Sequence, residues 1–524
     1  MTLTSLFRRF LLLPLLSTVL CQQNFTNPVI FSDFPDNDVF RGPDDAYYYS
    51  ASSFHISPGA PILKSYDLVN WELVGHSLPT LNFGGGYDFS GPPAYVGGVW
   101  ASTMRYRASN KKWYWIGCIG FWVTYIFTAD DVLGPWEQSA ALPGGTCYYD
   151  CGLLIDDDDS MYVVYGNTNV SIAQLNPDGL SQNKTQQVFS GPTQYQGIEG
   201  NRLYKINGTY YVLDDSPQGI TFIWRSSNIW GPWESQILQT NIASPVGGGS
   251  GGLIDQGSLV EGPNGQWYFM SNSWIFPAGR VPVLAPITWS DGWPSLVKVN
   301  GAWGAEYPFP GTPDVLTNWT GTLYFNGSSL APEWEWNLNP DTTKFAVGGN
   351  ALTLSTTTVT DDFYLARNTL THRTYGPNPV GTVRMDISKM ADGDRTGLAA
   401  FSYQSAWIEV ARSGGAYSLR MITNATLDPS NSFATISNGT VVATAALPAS
   451  SSQIWLRTMM NTLPTSDRHA SFSYSTDGAK FTALGNSFTM STDLPFFTGY
   501  RYAIFNFATS KLGGSVRLLS FDNR

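Results

Sequence analysis

Charged residues are scarce in this 524-residue chain, and their scarcity limits its partners. Asp, Glu, Lys and Arg together make up 13% of the sequence, against about 25% in an ordinary soluble protein. The formal net charge is −11, so the charges that are present are mainly acidic. Because nucleic acids and anionic membrane surfaces attract basic proteins, the composition excludes both as partners.

Long apolar runs are missing as well, apart from one at the N-terminus. Met1–Cys21 carries Arg8 and Arg9 ahead of the apolar stretch Phe10–Leu20, an order typical of a secretory signal peptide. That stretch is too short to cross a bilayer, which takes about 20 apolar residues. The chain also carries Asn-x-Ser/Thr sequons at Asn24, Asn169, Asn183, Asn207, Asn318, Asn326, Asn424 and Asn438. We therefore predict a secreted, extracellular glycoprotein whose signal peptide is residues 1–21.

Cysteine and histidine number only four each, and their spacing resembles no zinc site. The sequence therefore predicts no set of metal ligands. Cys118, Cys147 and Cys151 follow the signal segment, and an oxidising compartment favours one disulfide among them. We predict Cys118–Cys147, because pairing Cys147 with the nearby Cys151 would strain the start of a strand.

Aromatic residues, glycine and proline are abundant instead. Phe, Trp and Tyr make up 14% of the chain, which also has 52 Gly and 32 Pro. Such a composition favours strands and turns over long amphipathic helices. Aromatic surface with little charge suits neutral, polyhydroxylated ligands, whose C–H faces stack on rings. The alternative is that the aromatic residues only build a β-rich core.

Five segments share one pattern, a polar or Gly-containing turn followed by an aromatic strand. They are Gly42–Tyr49, Ala108–Trp115, Asp156–Tyr165, Asn207–Leu213 and Gly262–Phe269. Their spacing of roughly 50 to 65 residues is the length of one four-stranded blade, so the copies predict a five-bladed β-propeller over about residues 28–300. A second recurrence, Gly134–Glu137 and Gly231–Glu234 with the degenerate copy Val69–Glu72, keeps the same order. The alternative is a generic multi-strand sandwich with coincidental turns.

The residue eleven positions before the first strand residue of each repeat falls at an equivalent place in every blade. These five positions are Asp36, Ser102, Asp150, Glu199 and Gln256. The first strand of each propeller blade lines the central channel, so a fixed offset brings the five positions to one end of that channel. Three of them are carboxylates, and we predict that they converge on one pocket.

Two carboxyl groups facing one another across a pocket are the minimum apparatus for cleaving a glycosidic bond. One must hold a proton and the other must be ionised. Glu199 lies in the apolar, glycine-rich segment Gly197–Gly200, where burial would raise its pKa and suit a general acid. Asp36 on the innermost strand suits a general base, and Asp150 is a third carboxylate that could tune Glu199 or hold a sugar hydroxyl.

Each carboxylate taken alone has a structural explanation, because an isolated Asp before a strand usually caps a turn. Glu199 taken alone is compatible with a surface residue. The runs Asp156–Asp159 and Asp214-Asp215 are interpreted as solvated hairpin turns. Only the repeated offset separates the three candidates from those runs.

The sequence pattern changes after Trp293. Val297–Thr320 is a linker, and from Gly321 onward short alternating strands such as Val383–Ile387 and Trp407–Val410 are separated by Ser, Thr and Asn turns. This pattern predicts a β-sandwich. We therefore expect an all-β chain with the signal peptide at 1–21, a propeller catalytic domain at 22–312 and a sandwich domain at 313–524.

Several ordered motifs resemble glycoside hydrolase family 43. They are Phe34–Arg41, Ser57–Ile62, Ser65–Trp71, Tyr149-Asp150, Glu199-Gly200, Leu203–Lys205 and Gly279–Leu284 in the first half, with Leu330–Asn337 and Arg367–Leu370 in the second. The resemblance covers nearly the whole mature chain. It implies a five-bladed propeller followed by a jelly-roll, concanavalin-like sandwich, and an inverting exo-acting hydrolase of plant cell-wall polysaccharide.

The resemblance also implies a role for each candidate residue. Matched by position, the general base is Asp36, the pKa modulator and orienting residue is Asp150, and the general acid is Glu199. A sugar-contacting position matches Arg280, and the aromatic pocket walls match Phe54 and Trp100. Gln256, which comes from the repeated offset and not from a family match, is also expected to bind substrate. The chain departs from the family in the fifth blade, where it has Ile254–Ser258 in place of a segment with His. No cofactor is required, and a structural calcium ion in the channel, with Asp255 as a ligand, stays open as an alternative.

Two of the motifs indicate which sugar the enzyme would release. Pro35–Asp38 and Cys147–Asp150 look most like fungal arabinoxylan-debranching α-L-arabinofuranosidases, some of which release arabinose from doubly substituted xylose. The expected partner is then plant cell-wall arabinoxylan or its oligosaccharides, and the expected oligomeric state is a monomer. A β-xylosidase acting on xylo-oligosaccharides is the alternative within the family, and a non-catalytic polysaccharide-binding propeller–sandwich protein is the alternative from another class. A retaining fructan hydrolase shares this architecture, but its Asn-Asp-Pro, Arg-Asp-Pro and Glu-Cys signatures are missing from the sequence.

Overall fold

The structure is a computed structural model that describes residues 23–195, 197–246, 254–316, 318–448 and 450–524. Strands dominate this part of the chain, and its helical elements are three 3-10 turns at Gly85–Tyr87, Phe363–Leu365 and Pro429–Asn431. No helix among these residues is long and apolar enough to cross a bilayer. The predicted signal peptide, residues 1–21, lies outside the described ranges.

The first half of the chain forms five four-stranded antiparallel sheets, which confirms the predicted five-bladed propeller. After β1 (Asn24–Thr26), blade 1 consists of β2 (Asp38–Arg41), β3 (Tyr47–Ser50), β5 (Gly59–Ser65) and β6 (Glu72–Leu78), with β4 (Ile56–Ser57) inserted before β5. Blade 2 consists of β7 (Thr103–Arg107), β8 (Lys112–Ile119), β9 (Val123–Ala129) and β10 (Glu137–Ala141). Blade 3 consists of β11 (Gly152–Ile155), β12 (Met161–Asn167), β13 (Asn169–Leu175) and β14 (Gln182–Ser190).

The last two blades repeat this order, and a further strand returns to the start of the propeller. Blade 4 consists of β15 (Glu199–Ile206), β16 (Thr209–Ser216), β17 (Ile220–Ser226) and β18 (Glu234–Thr240). Blade 5 consists of β19 (Ile254–Glu261), β20 (Trp267–Trp274), β21 (Arg280–Ser290) and β22 (Trp293–Leu296). In the linker, β23 (Glu306–Pro308) pairs with β1, so this part of the linker packs along the propeller.

The first strands of the blades form a closed ring. β2 contacts β7, β7 contacts β11, β11 contacts β15, β15 contacts β19, and β19 returns to β2. These strands surround the central channel, and the later strands of each blade lie further out. Asp36 and Asp150 each stand two residues before an innermost strand, and Glu199 begins one. The sequence offset therefore leads to one end of the channel.

The five aromatic repeats supply the second strands of the blades, β3, β8, β12, β16 and β20. Their rings are largely buried because each blade packs both faces against its neighbours, as Tyr49, Trp115 and Phe269 show. The Trp-Glu recurrence has a position of its own, since Glu72, Glu137 and Glu234 begin the fourth strands β6, β10 and β18. The aromatic repeat thus marks the second strand of a blade and the Trp-Glu repeat marks the fourth, which explains why the two always follow in the same order.

The interpretation of Asp214-Asp215 as a solvated turn is wrong. Both residues lie inside β16 and are fully buried, while the hairpin turn that precedes this strand is at Asn207 and Gly208. The hydroxyl of Thr221 on β17 donates to Asp215 at 2.5 Å. The run Asp156–Asp159, in contrast, does form the turn between β11 and β12.

The second half of the chain forms a sandwich of two sheets. One sheet contains β24 (Gly321–Leu323), β26 (Phe345–Val347), β27 (Leu352–Ser355), β29 (Val380–Asp386), β34 (Gln453–Met460), β35 (His469–Ser475), β36 (Thr482–Ala483), β37 (Phe488–Thr489) and β39 (Ser515–Asn523). The other contains β25 (Trp334–Asn337), β28 (Leu370–Arg373), β30 (Asp394–Phe401), β31 (Gln404–Ser413), β32 (Ala416–Asp428), β33 (Ala434–Ala446) and β38 (Arg501–Ala508). The predicted strand at 383–387 falls in β29 except for its last residue, and the one at 407–410 falls in β31.

The propeller and the sandwich share a sheet. β4 leaves blade 1 and pairs with β25, so that a propeller strand forms one edge of the second sandwich sheet. Next to this edge Glu335 is fully buried and accepts hydrogen bonds from Arg373 at 2.7 Å and from Arg501. His76 of β6 lies 3.0 Å from the same carboxylate, and Arg373 donates to the backbone carbonyl of Asp33 at 3.1 Å. These buried polar contacts join the two halves of the molecule.

The predicted disulfide Cys118–Cys147 is confirmed, with Cα atoms 5.2 Å apart. It links the end of β8 to the loop that precedes Tyr149 and Asp150. Cys151 is a buried free thiol, 3.4 Å from the carbonyl oxygen of Ile116. The disulfide thus ties a blade 2 hairpin to the segment that carries one of the candidate carboxylates.

Candidate active site

Three of the five offset positions share a rare backbone conformation. Asp36, Asp150 and Gln256 have φ values of 60°, 46° and 40°, all in the left-handed region. Residues other than glycine rarely adopt such angles, and proteins retain them mainly where the surrounding structure and the function require them. The repeated offset therefore marks a shared backbone geometry in blades 1, 3 and 5.

Asp36 is buried and paired with Arg280, which begins β21 in blade 5. One guanidinium nitrogen donates to Oδ1 at 2.6 Å and the other to Oδ2 at 3.3 Å. The guanidinium lies 5.6 Å from the ring centre of Phe54 and 5.2 Å from that of Trp274. A planar cation that contacts two aromatic rings and bonds both carboxylate oxygens fixes the orientation of that carboxylate.

Glu199 accepts hydrogen bonds from blade 3. The hydroxyl of Tyr149 donates to Oε2 at 2.9 Å, and Nδ2 of Asn167 donates to the same oxygen at 3.3 Å. Burial raises the pKa of Glu199, and the negative charge of Asp36 raises it further, while the Tyr149 hydrogen bond opposes the shift. A carboxyl group with a raised pKa keeps its proton closer to neutral pH, as a general acid must.

Asp150 lies between Glu199 and blade 5. Its Oδ2 accepts a hydrogen bond from the backbone N–H of Gly200 at 3.2 Å and one from Nε2 of Gln256 at 3.1 Å. Burial raises the pKa of Asp150 well above its usual range, followed by the charges of Glu199 and Asp36. Asp150 therefore holds the start of β15 in place beside Glu199, and Gln256 contacts this carboxylate.

The aromatic wall of the site has a component that the sequence did not predict. The rings of Phe54 and Trp100 lie 5.0 Å apart, and Phe497 of the sandwich approaches them at 5.9 Å and 5.0 Å. The backbone carbonyl of Phe497 also accepts a hydrogen bond from Arg280 at 3.3 Å. The sandwich therefore supplies part of the pocket wall, and no local sequence signal separates Phe497 from the neighbouring Phe496.

Sequence reasoning also missed the two donors to Glu199, Tyr149 and Asn167. Tyr149 stands next to Asp150 in the motif Tyr149-Asp150, and this position beside a candidate carboxylate could have marked it as a site residue. Asn167 is the last residue of β12, and nothing in the local sequence marks it. The remaining offset position, Ser102, makes its contact within blade 2, where its hydroxyl accepts a hydrogen bond from the Trp115 indole at 3.0 Å. The offset thus brought Asp36, Asp150, Glu199 and Gln256 close together, whereas Ser102 bonds within its own blade.

Arg202 occupies the channel below the carboxylates. This fully buried side chain on β15 donates to the backbone carbonyls of Asp36 at 3.0 Å, Asn37 at 2.9 Å and Cys151 at 3.0 Å. A guanidinium that takes these oxygens leaves a positive charge where a calcium ion would need free oxygen ligands. The residues around Arg202 therefore do not fit a calcium ion, and the side chain of Asp255, the predicted ligand, lies outside the described part of the structure.

Comparison with known proteins identifies this arrangement. The family model described as glycosyl hydrolases family 43 matches residues 25–294, which is about half of the chain. The chain belongs to glycosyl hydrolases family 43. A second model, described as the beta xylosidase C-terminal concanavalin A-like domain, matches residues 323–522. The chain is therefore a glycoside hydrolase with a concanavalin-like sandwich, as the motifs indicated.

Individual family 43 relatives differ in the sugar that their names give. A beta-xylosidase of Formosa agariphila is 26% identical over 449 residues, covering 72% of this chain and 73% of its own. A non-reducing end alpha-L-arabinofuranosidase of Bacteroides ovatus is 30% identical over 346 residues, covering 61% of this chain and 62% of its own.

Among solved structures, one comes from the engineering of the active site of a GH43 glycoside hydrolase. That engineering generated an enzyme with both endo-xylanase and exo-arabinofuranosidase activity. The structure superimposes with a TM-score of 0.91 at 41% identity, covering 96% of this chain and all of the other.

Proposed function

We propose that this family 43 enzyme is a secreted, inverting exo-α-L-arabinofuranosidase that removes arabinose side chains from arabinoxylan, including those on doubly substituted xylose. The contrast between two carboxyl groups carries the proposal. Asp36 is paired with the guanidinium of Arg280, whereas Glu199 is largely buried beside other carboxylates and has a raised pKa. The charge of Asp36 acts on Glu199, so the two groups are close together. One base and one acid close to each other are what glycoside hydrolysis needs.

The proposed mechanism assigns one proton transfer to each group. Asp36 takes a proton from a water molecule, which attacks the anomeric carbon, while Glu199 donates its proton to the leaving glycosidic oxygen. Attack from the face opposite the leaving group inverts the configuration. Asp150 accepts the Gly200 N–H bond and so positions Glu199 at the start of β15, and Arg280 orients Asp36.

The preference for arabinose draws support from the comparisons and the pocket wall. The structure at 41% identity comes from work on an enzyme with exo-arabinofuranosidase activity, and the Bacteroides ovatus relative is named for that activity. Trp100 and Phe497 are partly exposed and pack on the fully buried ring of Phe54. They form an apolar surface close to Arg280 that suits the face of one sugar unit. The second candidate is a β-xylosidase, favoured by the name of the Formosa agariphila relative.

Substrate assays test the proposal directly. We expect faster hydrolysis of nitrophenyl α-L-arabinofuranoside than of the β-D-xyloside, and NMR of arabinoxylan digests should show arabinose released first as the inverted anomer. Glu199→Gln should reduce kcat/KM on arabinoxylan by about 10²–10⁴, while the exposed Glu306→Gln serves as a matched control. Faster xyloside hydrolysis would favour the β-xylosidase, and release of no sugar from any substrate would favour a binding protein.

Secretion and independence of a metal belong to the same proposal. The Cys118–Cys147 disulfide suits an oxidising compartment, and all eight sequon asparagines are exposed, from Asn24 to Asn438. We also propose a monomer with its domain division near residue 312. A mass decrease on endoglycosidase treatment, full activity in EDTA and a monomer mass in light scattering are the expected results.

A further inference from the structure

Two large aromatic side chains stand exposed at the tip of the hairpin between β8 and β9. Phe121 is 52% exposed and Trp122 is 63% exposed. Phe121 has a φ of 55°, and a bulky residue in the left-handed region is a genuine outlier. A strained turn that holds two adjacent aromatic rings in water needs an explanation, because burial of such rings is normally favourable.

The hairpin is continuous with the candidate active site. The ring of Phe121 lies 5.1 Å from that of Trp100 and 5.9 Å from that of Tyr149. The hydroxyl of Tyr149 donates to Glu199, the proposed general acid. Because the acid protonates the leaving oxygen, the part of the substrate that leaves lies on the side of Glu199. Phe121 therefore extends the aromatic wall from the pocket toward the leaving group.

The hairpin is also held in position. The disulfide from Cys118 to Cys147 joins its first strand to the loop that carries Tyr149. The Gly145 N–H donates to the carbonyl of Trp122 at 3.0 Å. A Cβ at Gly144 would approach the Trp122 indole nitrogen to 3.0 Å, so the indole lies directly over the glycine backbone. A binding surface fixed in this way loses little conformational entropy when a ligand binds.

We propose that Phe121 and Trp122 form a platform that binds main-chain sugars of the polysaccharide substrate next to the catalytic pocket. This inference rests on the proposed function, because it assigns the leaving-group side from Glu199. Exposed, uncharged aromatic faces suit the apolar C–H faces of neutral sugar rings. The ring of Phe121 contacts those of Trp100 and Tyr149, so the platform lies directly beside the proposed catalytic pocket. The ligand that reaches it there is the polysaccharide chain from which the side chain is cleaved.

Comparison of a polymeric with a small substrate tests the platform. We expect Trp122→Ala and Phe121→Ala to lower the ratio of kcat/KM on soluble arabinoxylan to kcat/KM on nitrophenyl α-L-arabinofuranoside by about fivefold or more. Trp122→Phe should restore most of the ratio, because it keeps a ring. Tyr324→Ala, at an equally exposed aromatic residue on the sandwich, is the matched control and should leave the ratio unchanged.

Equal decreases in kcat/KM on the two substrates would overturn the platform. The hairpin would then only support Trp100 and Tyr149 in their positions. A dimer of the wild-type protein that dissociates in Trp122→Ala, seen by sedimentation, would overturn it in favour of a second copy as occupant. Affinity electrophoresis in arabinoxylan gels, performed on Glu199→Gln with and without Trp122→Ala, measures binding without turnover. Retardation that Trp122→Ala abolishes supports the platform even if the catalytic assignment fails, and retardation that it leaves unchanged overturns the platform.

Discussion

Arg280 contacts both carboxylate oxygens of Asp36, at 2.6 Å and 3.3 Å, although the two residues are 244 positions apart. Arg280 belongs to blade 5 and Asp36 to blade 1, so the pair forms where the ring of blades closes. Arg280 also donates to the carbonyl of Phe497 in the sandwich at 3.3 Å. The orientation of the proposed base therefore depends on propeller closure and on docking of the second domain.

Replacing Arg280 tests this dependence. In Arg280→Lys the charge remains but the planar fork is lost, so only one carboxylate oxygen of Asp36 can be held. Loss of a charge-assisted hydrogen bond of about 1.5–3 kcal/mol should lower kcat/KM by about 10- to 100-fold. The control is Arg225→Lys on blade 4, where the arginine pairs with Glu234 at the surface. Steady-state kinetics on the arabinofuranoside measure both, and wild-type activity of Arg280→Lys would contradict the orienting role.

The hydrogen bond from Tyr149 predicts a change in pH dependence. Burial and the charge of Asp36 raise the pKa of Glu199, and the Tyr149 hydroxyl opposes that shift by stabilising the ionised carboxylate. Tyr149→Phe should therefore raise the pKa of Glu199 and move the alkaline limb of the kcat/KM profile to higher pH, by about 0.5–1 unit.

Tyr148→Phe is the matched control, because that hydroxyl bonds to Gln182 and not to a carboxylate in the site. Its pH profile should coincide with that of the wild type. An alkaline limb that moves to lower pH in Tyr149→Phe would show that the hydroxyl does not stabilise the ionised form of Glu199.

The buried carboxylate of Glu335 predicts a contribution to stability. Burial by itself would raise the pKa of Glu335, but Arg373 and Arg501 outweigh it and hold this pKa well below its usual range. The stabilisation is therefore present above the unfolded pKa, about 4.3, and is lost as the pH falls toward the folded value. Glu335→Gln leaves two buried cations without their partner and should destabilise the fold by about 3–5 kcal/mol at pH 7.

Calorimetry at pH 7 and pH 4 measures this effect through the difference in Tm between Glu335→Gln and the wild type. The difference should be large at pH 7 and smaller at pH 4. The exposed Glu137→Gln controls for the loss of a surface charge. A Tm for Glu335→Gln equal to that of the wild type at pH 7 would show that the cluster does not stabilise the fold.

Asp215 predicts the opposite pH dependence. Burial raises the pKa of Asp215 to about 8, with Asp214 and Glu199 adding to the shift and Thr221 opposing it. Between about pH 4 and pH 8 the unfolded chain releases this proton while the folded chain keeps it, so rising pH favours unfolding by up to about 1.4 kcal/mol per unit. Asp215→Asn should therefore gain Tm relative to the wild type as the pH rises from 5 to 8.

Thermal melts of both proteins across this range measure the gain. Asn can still accept the Thr221 hydrogen bond, so the variant tests the charge and not the contact. Asp157→Asn, at an exposed turn residue, is the control. A Tm difference that stays constant with pH would mean that Asp215 is ionised in the folded protein.

The sequence by itself determined the propeller and the end of its channel at which the candidate carboxylates meet. Strand and turn signals are local, and a blade has a nearly constant length, so residues at one offset must reach equivalent places around a ring. The proximity of Asp36, Asp150 and Glu199 was predictable for this reason. The Cys118–Cys147 disulfide was also predicted from sequence spacing and is present.

Tertiary structure alone decided which side chains complete the site. Asp214-Asp215 has the composition of a turn, but its position inside β16 depends on packing against neighbouring strands and blades. Phe497 reaches the site only because folding brings together residues more than 400 positions apart, such as Phe54 and Phe497. Arg202 follows Glu199 on β15, but its contact with the carbonyl of Asp36 likewise depends on the closure of the propeller. The local sequence shows where a strand forms, through its alternation of side chains. Which residues of the strand are buried, and what they pair with, depends on distant segments that folding brings into contact.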